Sequence, residues 1–400
     1  MKLESSTGDT AHLTYCSNIH PGESWPEVAA ALAVHVPQIR EEMAFEGAFG
    51  LGLRLSAVAA RALRDPQALD SFRAWMDAND AYVFTLNGFP YGPFHGTPVK
   101  EEVYRPDWST PQRVQYTLDL IDTLAQLVPD GTTGSISTVP GAFRFDPAAS
   151  NPSSLLAGLI TAALRCRYWS ETAGLDLCLG LEPEPMCMLE TTEEAIRFFE
   201  DTVFSAAGRE LFAKRGGCTT SEAEVALRRH LGVCFDTCHA AVEFEDPAAG
   251  ARQLQAAGIR IAKVQVTAGL ELAEPTAAGL EDLEAFAEDT YLHQVVVETD
   301  AGLVRILDLP EALDRARQGL IAHGPWRVHL HVPVFSRLQA PLSATTDFIA
   351  SALPELRSAC AHFEVETYTW SVLPPNLREL SRSASIAREL QWTRALWHSQ

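Results

Sequence analysis

Short apolar runs that stop at a polar residue recur along this chain, with amphipathic stretches between them. The pattern argues for a parallel sheet with helical crossovers, because parallel neighbours cannot be joined by a tight turn. The runs cover 13–18, 49–55, 82–87, 134–139, 177–182, 232–236, 259–266, 328–332 and 363–368. Eight strands with intervening helices close as an α/β (β/α)8 TIM barrel. One run is therefore surplus. The suspect is the one around His329 and His331, either a barrel strand or part of an insertion that returns to the rim. Residues 292–299 and 302–307, split by Asp300-Ala301, read as a β-hairpin. An open doubly wound sheet would need a GxGxxG after its first strand, and 13–23 contains none. With no internal repeat and no low-complexity stretch, one domain over 1–400 and a C-terminal helical tail from about 376 are expected.

Local signals agree. Ser24 with Glu27 and Thr191 with Glu194 are capping boxes. Val28, Leu32, Val36 and Ile39 give the first helix an apolar face, which Pro37 is expected to shorten or bend. Thr110-Pro111 opens a helix expected to bury Val114, Leu118, Ile121, Ala125 and Val128.

The chain has 400 residues, 46% of them hydrophobic, ample for a large core. Its formal charge of −21 disfavours binding to nucleic acid phosphates or an anionic membrane. Eight scattered cysteines make no CxxC pair, so reduced thiols in a cytoplasmic protein are expected. Residues 1–10 are polar and lack a signal region. No stretch approaches the roughly 18 apolar residues of a membrane span.

In a barrel, residues at strand C-termini face the catalytic rim. Here the fifth run ends in Glu182. The sixth ends in Gly232-Val233-Cys234-Phe235-Asp236-Thr237-Cys238-His239. The seventh carries Gln265 and the last Glu366. Carboxylates and an amide converging on one axis suit Mg²⁺ or Mn²⁺. Adding His239 or His331 moves the preference toward Mn²⁺, Co²⁺ or Zn²⁺. A strand-end Asp236 that only caps the next helix would explain part of the same pattern. The connection 88–108 is long and rich in Gly, Pro and aromatics, as expected for a loop folded over the rim. It contains His95, Lys100 and Arg105.

The order Leu181-Glu182-Pro183, Asp236-Thr237-Cys238-His239, Val264-Gln265-Val266 and a final-strand Glu resembles the xylose isomerase-like TIM barrel superfamily. That resemblance implies one divalent metal held by Glu182, Asp236, Gln265 and Glu366, with His331 replacing or supplementing Gln265. Glu182 and Glu366 would serve as acid and base, and His239 would support a ligand or touch substrate. Residues 232–239 also resemble endonuclease IV, but Asn87 and Thr138 stand where that enzyme needs histidines. A more extensive resemblance, to the metabolite traffic protein EboE family, rests on Thr14 to Trp25, Phe94-His95-Gly96, Val99-Lys100, Pro106-Asp107-Trp108 and Glu364 to Trp370. It implies handling of a secondary-metabolite precursor beside other proteins of one gene cluster, without fixing a reaction.

The expected activity is a metal-dependent isomerase or epimerase acting on a small polyhydroxylated metabolite. Glu182, Glu366, His239 and Lys100 are the catalytic candidates. Arg54, Asn87, His95 and Arg105 are the substrate-binding ones. The alternatives are a metabolite-binding or traffic protein without turnover and an endonuclease IV-like phosphodiesterase.

Overall fold

The computed structural model describes residues 1–4, 10–321 and 323–399; residues 5–9 of the polar N-terminal stretch lie outside the described residues. The barrel strands are β1 (Thr10–Tyr15), β2 (Phe49–Arg54), β3 (Ala81–Asn87), β4 (Gly134–Thr138), β5 (Leu177–Leu181), β6 (Leu231–Asp236), β7 (Arg260–Val266) and β8 (His362–Val365). They pair in the order β1-β8-β7-β6-β5-β4-β3-β2. A parallel bridge from Cys16 to Gly52 then joins β1 to β2 and closes the barrel. The short strand Lys2–Glu4 adds antiparallel to β1. This is a (β/α)8 barrel, with helices such as Trp25–Glu42, Pro111–Leu127 and Ser153–Ala173 between its strands.

The surplus run is not a barrel strand. Trp326–Val332 sits at the centre of a second, antiparallel sheet inserted after β7. Its order is Gly302–Ile306, Val295–Thr299, Trp326–Val332, Ala268–Leu272 and Leu342–Ala344. The first two form the expected hairpin. The helix Thr346–Ala359 then leads back to β8.

Two local expectations need correction. The helix Trp25–Glu42 continues through Pro37, because Val36 and Ile39 on either side are buried against the barrel. A proline costs one backbone hydrogen bond there, and tertiary packing offsets it. In Pro111–Leu127 Ile121 is buried as expected, as is Val128 just past its end, but the stripe otherwise runs through Tyr116, Leu120, Leu124 and Leu127, while Val114, Leu118 and Ala125 are half-buried. The helix is rotated relative to its most obvious apolar stripe, because Arg113 turns inward to donate to the Gly88 and Phe89 carbonyls. Among the described residues, no helix is long and apolar enough to cross a membrane.

Residues two apart on a strand share a face, and the inward face here is polar. Lys263 on β7 donates to Glu364 on β8 at 2.5 Å, and neither side chain is exposed. Burial disfavours the Lys263 charge, but Glu364 together with the nearby Cys234 and Cys16 outweighs it and lifts the ammonium above the ordinary lysine range. Gly52 makes room for this pair, since a Cβ there would overlap the Glu364 carboxylate. Gly52→Ala is therefore expected to destabilise the fold by about 1–3 kcal/mol. Gly92→Ala, with nothing within 4 Å of its added Cβ, should stay within about 0.5 kcal/mol. Chemical denaturation of both variants checks the contrast.

Candidate active site

Glu182 immediately follows β5, Asp236 ends β6 and Glu366 immediately follows β8. One carboxylate oxygen from each lies within 4.8 Å of the other two, and all three side chains are buried. Asp236 faces two ways. Its Oδ1 accepts from Cys238 N (2.6 Å), His239 N (3.1 Å) and the Thr267 hydroxyl (2.5 Å), so it does cap the next helix. Its Oδ2 has no hydrogen-bond partner, and neither has Glu182 Oε2. Glu366 Oε1 accepts from the side-chain amides of Asn18 (2.7 Å) and Asn87 (2.8 Å), which fix its position. Gln265 lies in register with Asp236 on one side and Glu364 on the other; both its amide atoms are buried without a partner.

Such a cluster resists ionisation. Burial first, and then repulsion from the other carboxylates, push Glu182 and Glu366 well above the ordinary glutamate range, against the pull of Lys263. Burial likewise lifts Glu184 to about 8, although the Tyr104 hydroxyl donates to it at 2.7 Å.

Three histidines adjoin the carboxylates. His239 comes from the helix Thr237–Val242, and His329 and His331 from the inserted strand Trp326–Val332. His239 Nε2 lies 3.9 Å from Asp236 Oδ2, and His331 Nε2 lies 4.0 Å from it. Burial is the main cause that lowers all three imidazoles below the ordinary histidine range.

A cavity opens above these groups. Its polar lining includes Asn18, Asn87, Glu182, Glu184, His239, His329, His331 and Glu366. Its apolar lining includes Phe89, Phe94, Tyr104, Tyr291, Leu292 and Tyr368. The loop 88–108 thus forms one wall, packed on the insertion through Phe94, Val99 and Tyr291.

The remaining candidates are placed differently. Lys100 lines the cavity, but its ammonium donates to Asp308 (2.8 Å), Tyr291 O (2.9 Å) and Glu288 O (3.3 Å). It ties the loop to the insertion. Arg54 does not line this cavity. It is buried and holds Glu23 at 2.9 Å together with the Gly92 carbonyl, pinning the loops after β1 and β3. His95 bridges Asn18 O (2.5 Å) and the Tyr291 hydroxyl (2.9 Å) rather than lining the cavity. Arg105 is exposed and paired with Glu102 and Asp146, away from the lining. Sequence reasoning did not single out Asn18, Glu184 or His329. The available signals were a strand-end amide, a carboxylate between two prolines, and the two-residue spacing to His331.

No protein-family model matches this sequence, and no curated protein matches it. Solved structures do align over nearly the whole chain. An L-ribulose 3-epimerase gives a TM-score of 0.49 at 12% identity, over 97% of this chain and 95% of that one. An IolI protein with a bound zinc atom gives 0.46 at 11%, over 96% and 97%. A D-allulose 3-epimerase from Methylomonas sp., in complex with D-allulose, gives 0.46 at 10%, over 98% of both chains. Likeness at this level says nothing of reaction or substrate.

Because Lys100 latches the loop, Lys100→Ala should speed amide hydrogen exchange across 88–108 by about tenfold, the loss of a charge-assisted hydrogen bond of about 1.5 kcal/mol. Exchange in β5, β6 and β8 should not change.

Proposed function

We propose that this protein is a divalent-cation-dependent isomerase or epimerase acting on a small polyhydroxylated metabolite. The observation that carries this reading is the buried Glu182–Asp236–Glu366 trio with its unpartnered oxygens at a cavity floor. Uncompensated buried carboxylates are costly. Glu182 Oε2, Asp236 Oδ2 and the free Gln265 amide oxygen form an oxygen-rich donor set of the kind Mn²⁺ or Mg²⁺ accepts. The residues therefore fit one cation held by Glu182, Asp236 and Glu366, with Gln265 beside them. When bound, the cation would polarise a substrate carbonyl or hydroxyl oxygen.

The chain's own groups would do the rest. One carboxylate, Glu182 or Glu366, takes a proton from the carbon next to the carbonyl. The C–H electron pair moves into the forming C=C bond, and the carbonyl π pair moves onto oxygen. The opposite carboxylate returns a proton to the other face of the same carbon, or, in an isomerase, to the former carbonyl carbon while the hydroxyl proton passes from one oxygen to the other and the new carbonyl forms. Their raised proton affinities suit them to exchange protons near neutral pH. Asn18 and Asn87 keep Glu366 aimed. Phe89, Phe94 and Tyr368 exclude water from the enediolate. The longer motif resemblance supports a place in secondary-metabolite handling, in one cytoplasmic domain working beside proteins of the same gene cluster.

The test is solvent exchange. In D₂O, with Mn²⁺ supplied, a panel of ketoses and aldoses should acquire deuterium next to the carbonyl, and Glu366→Gln should abolish this. A cation-loaded protein that binds a metabolite without exchanging it would establish the binding-protein alternative instead.

Cation affinity should depend on pH with a definite sign. Glu182, Glu184 and Glu366 are raised by folding. Their stabilising contribution is full below the unfolded value and is lost as pH rises through the folded one. The metal-free protein therefore holds protons that a cation must displace. Affinity should climb from about pH 4.3, the ordinary glutamate value, to about 8, the value to which burial and the neighbouring carboxylates raise Glu366. Calorimetry in two buffers of different ionisation enthalpy should show net proton release at pH 6–7.

A further inference from the structure

The three imidazoles approach one another in an unusual way. His239 Nε2 is 3.1 Å from His329 Nε2, which is 3.3 Å from His331 Nε2. The opposite nitrogen of each ring meets an oxygen that can only accept. His239 Nδ1 faces the Pro183 carbonyl at 2.9 Å, and His331 Nδ1 faces the Glu366 carbonyl at 2.8 Å. His329 Nδ1 faces Gln294 Oε1 at 2.8 Å. That amide is oriented by its own Nε2, which donates to the Pro185 carbonyl at 3.1 Å. Each Nδ1 must therefore carry the ring hydrogen, and each Nε2 is left with a bare lone pair.

Three lone pairs converge at these distances with no hydrogen among them to share. A proton placed between two of these nitrogens would still leave the third without a partner. A metal cation relieves the repulsion, and the spacing suits one. Two nitrogens bound at about 2.0–2.1 Å to one zinc lie about 3.0–3.4 Å apart over octahedral to tetrahedral angles. Imidazoles held through Nδ1–H by carbonyl oxygens are the usual support of a metal-binding histidine. A fourth donor is at hand in Asp236 Oδ2, which is buried and unpartnered.

We propose that His239, His329 and His331 form a second divalent-cation site, nitrogen-rich and suited to Zn²⁺, that shares Asp236 with the carboxylate trio. It rests on the reading above only through that shared residue. Two cations joined by one carboxylate typically sit about 3.5–4 Å apart and hold two oxygens of one molecule. The substrate class narrows accordingly to metabolites with vicinal oxygens, such as an α-hydroxycarbonyl. The barrel alone does not build this site. The inserted sheet supplies two of its three imidazoles.

Protein stripped by a chelator and reloaded with Zn²⁺ or Co²⁺ tests the proposal, with bound metal counted by mass spectrometry. The parent should bind two cations per chain. His329→Gln with His331→Gln should bind one, and Glu182→Gln with Glu366→Gln should also bind one. Intense visible bands of tetrahedral Co²⁺ should vanish in the histidine variant alone. Circular dichroism checks folding, and the single histidine variants replace the double one if it does not fold. The proposal is overturned if the histidine variant still binds two cations. It is also overturned if the parent binds one cation that only the carboxylate variant loses, or one that both variants lose; in both cases the proposed function stands. A parent that binds none overturns both.

Discussion

Charge concentration inside the barrel is the constraint that the rest of the site answers. Glu182, Asp236, Glu364 and Glu366 are buried together, and Lys263 is the buried ammonium paired among them. Two like charges about 4 Å apart repel by about 4 kcal/mol at an effective dielectric of 20. The fold offsets this in two ways. Lys263 neutralises Glu364 beneath the trio. Raised proton affinities favour the neutral forms of Glu182 and Glu366. Unpartnered oxygens of Glu182 and Asp236 are left within the cluster.

That constraint shapes the surroundings. Gly52 is small because the Glu364 carboxylate fills the space a Cβ would take. Asn18 and Asn87 come from different strand ends yet donate to the same oxygen of Glu366. Each asparagine thereby adds a fixed partial positive charge without adding an ion. The loop 88–108 and the inserted sheet then close over the cluster, joined by Lys100 with Asp308 and by His95 with Tyr291. Lys100 and Arg54, offered by the sequence as site residues, fasten loops in this structure. Arg54 is the clearest case, since four carbonyl or carboxylate oxygens surround its guanidinium.

Much of the barrel was legible in the sequence. Side-chain burial on both faces of a parallel strand produces a continuous apolar run, and each run ends where the rim begins. Glu182, Asp236 and Glu366 stood out because a carboxylate directly after such a run has few bland explanations. The capping boxes at Ser24 and Thr191 were equally plain, since they depend on residues three apart. Pro37 did not shorten its helix, and the stripe on Pro111–Leu127 was only partly legible, because local pattern does not record which face tertiary packing selects.

The sequence by itself determined the strand–helix alternation, the polar strand ends and the acidic surface. These follow from periodicity and composition, which are local. Only the tertiary structure decided which cations face the cavity, and that the 328–332 run leaves the barrel to bring His329 and His331 over its rim. It also decided that three imidazoles turn their bare nitrogens toward one another. That depends on carbonyls of Pro183 and Glu366 and on the Gln294 amide, which lie 56, 35 and 35 positions away from their histidines. Hydrogen-bond partners at such separations are set by how the chain closes on itself, and no local pattern carries them.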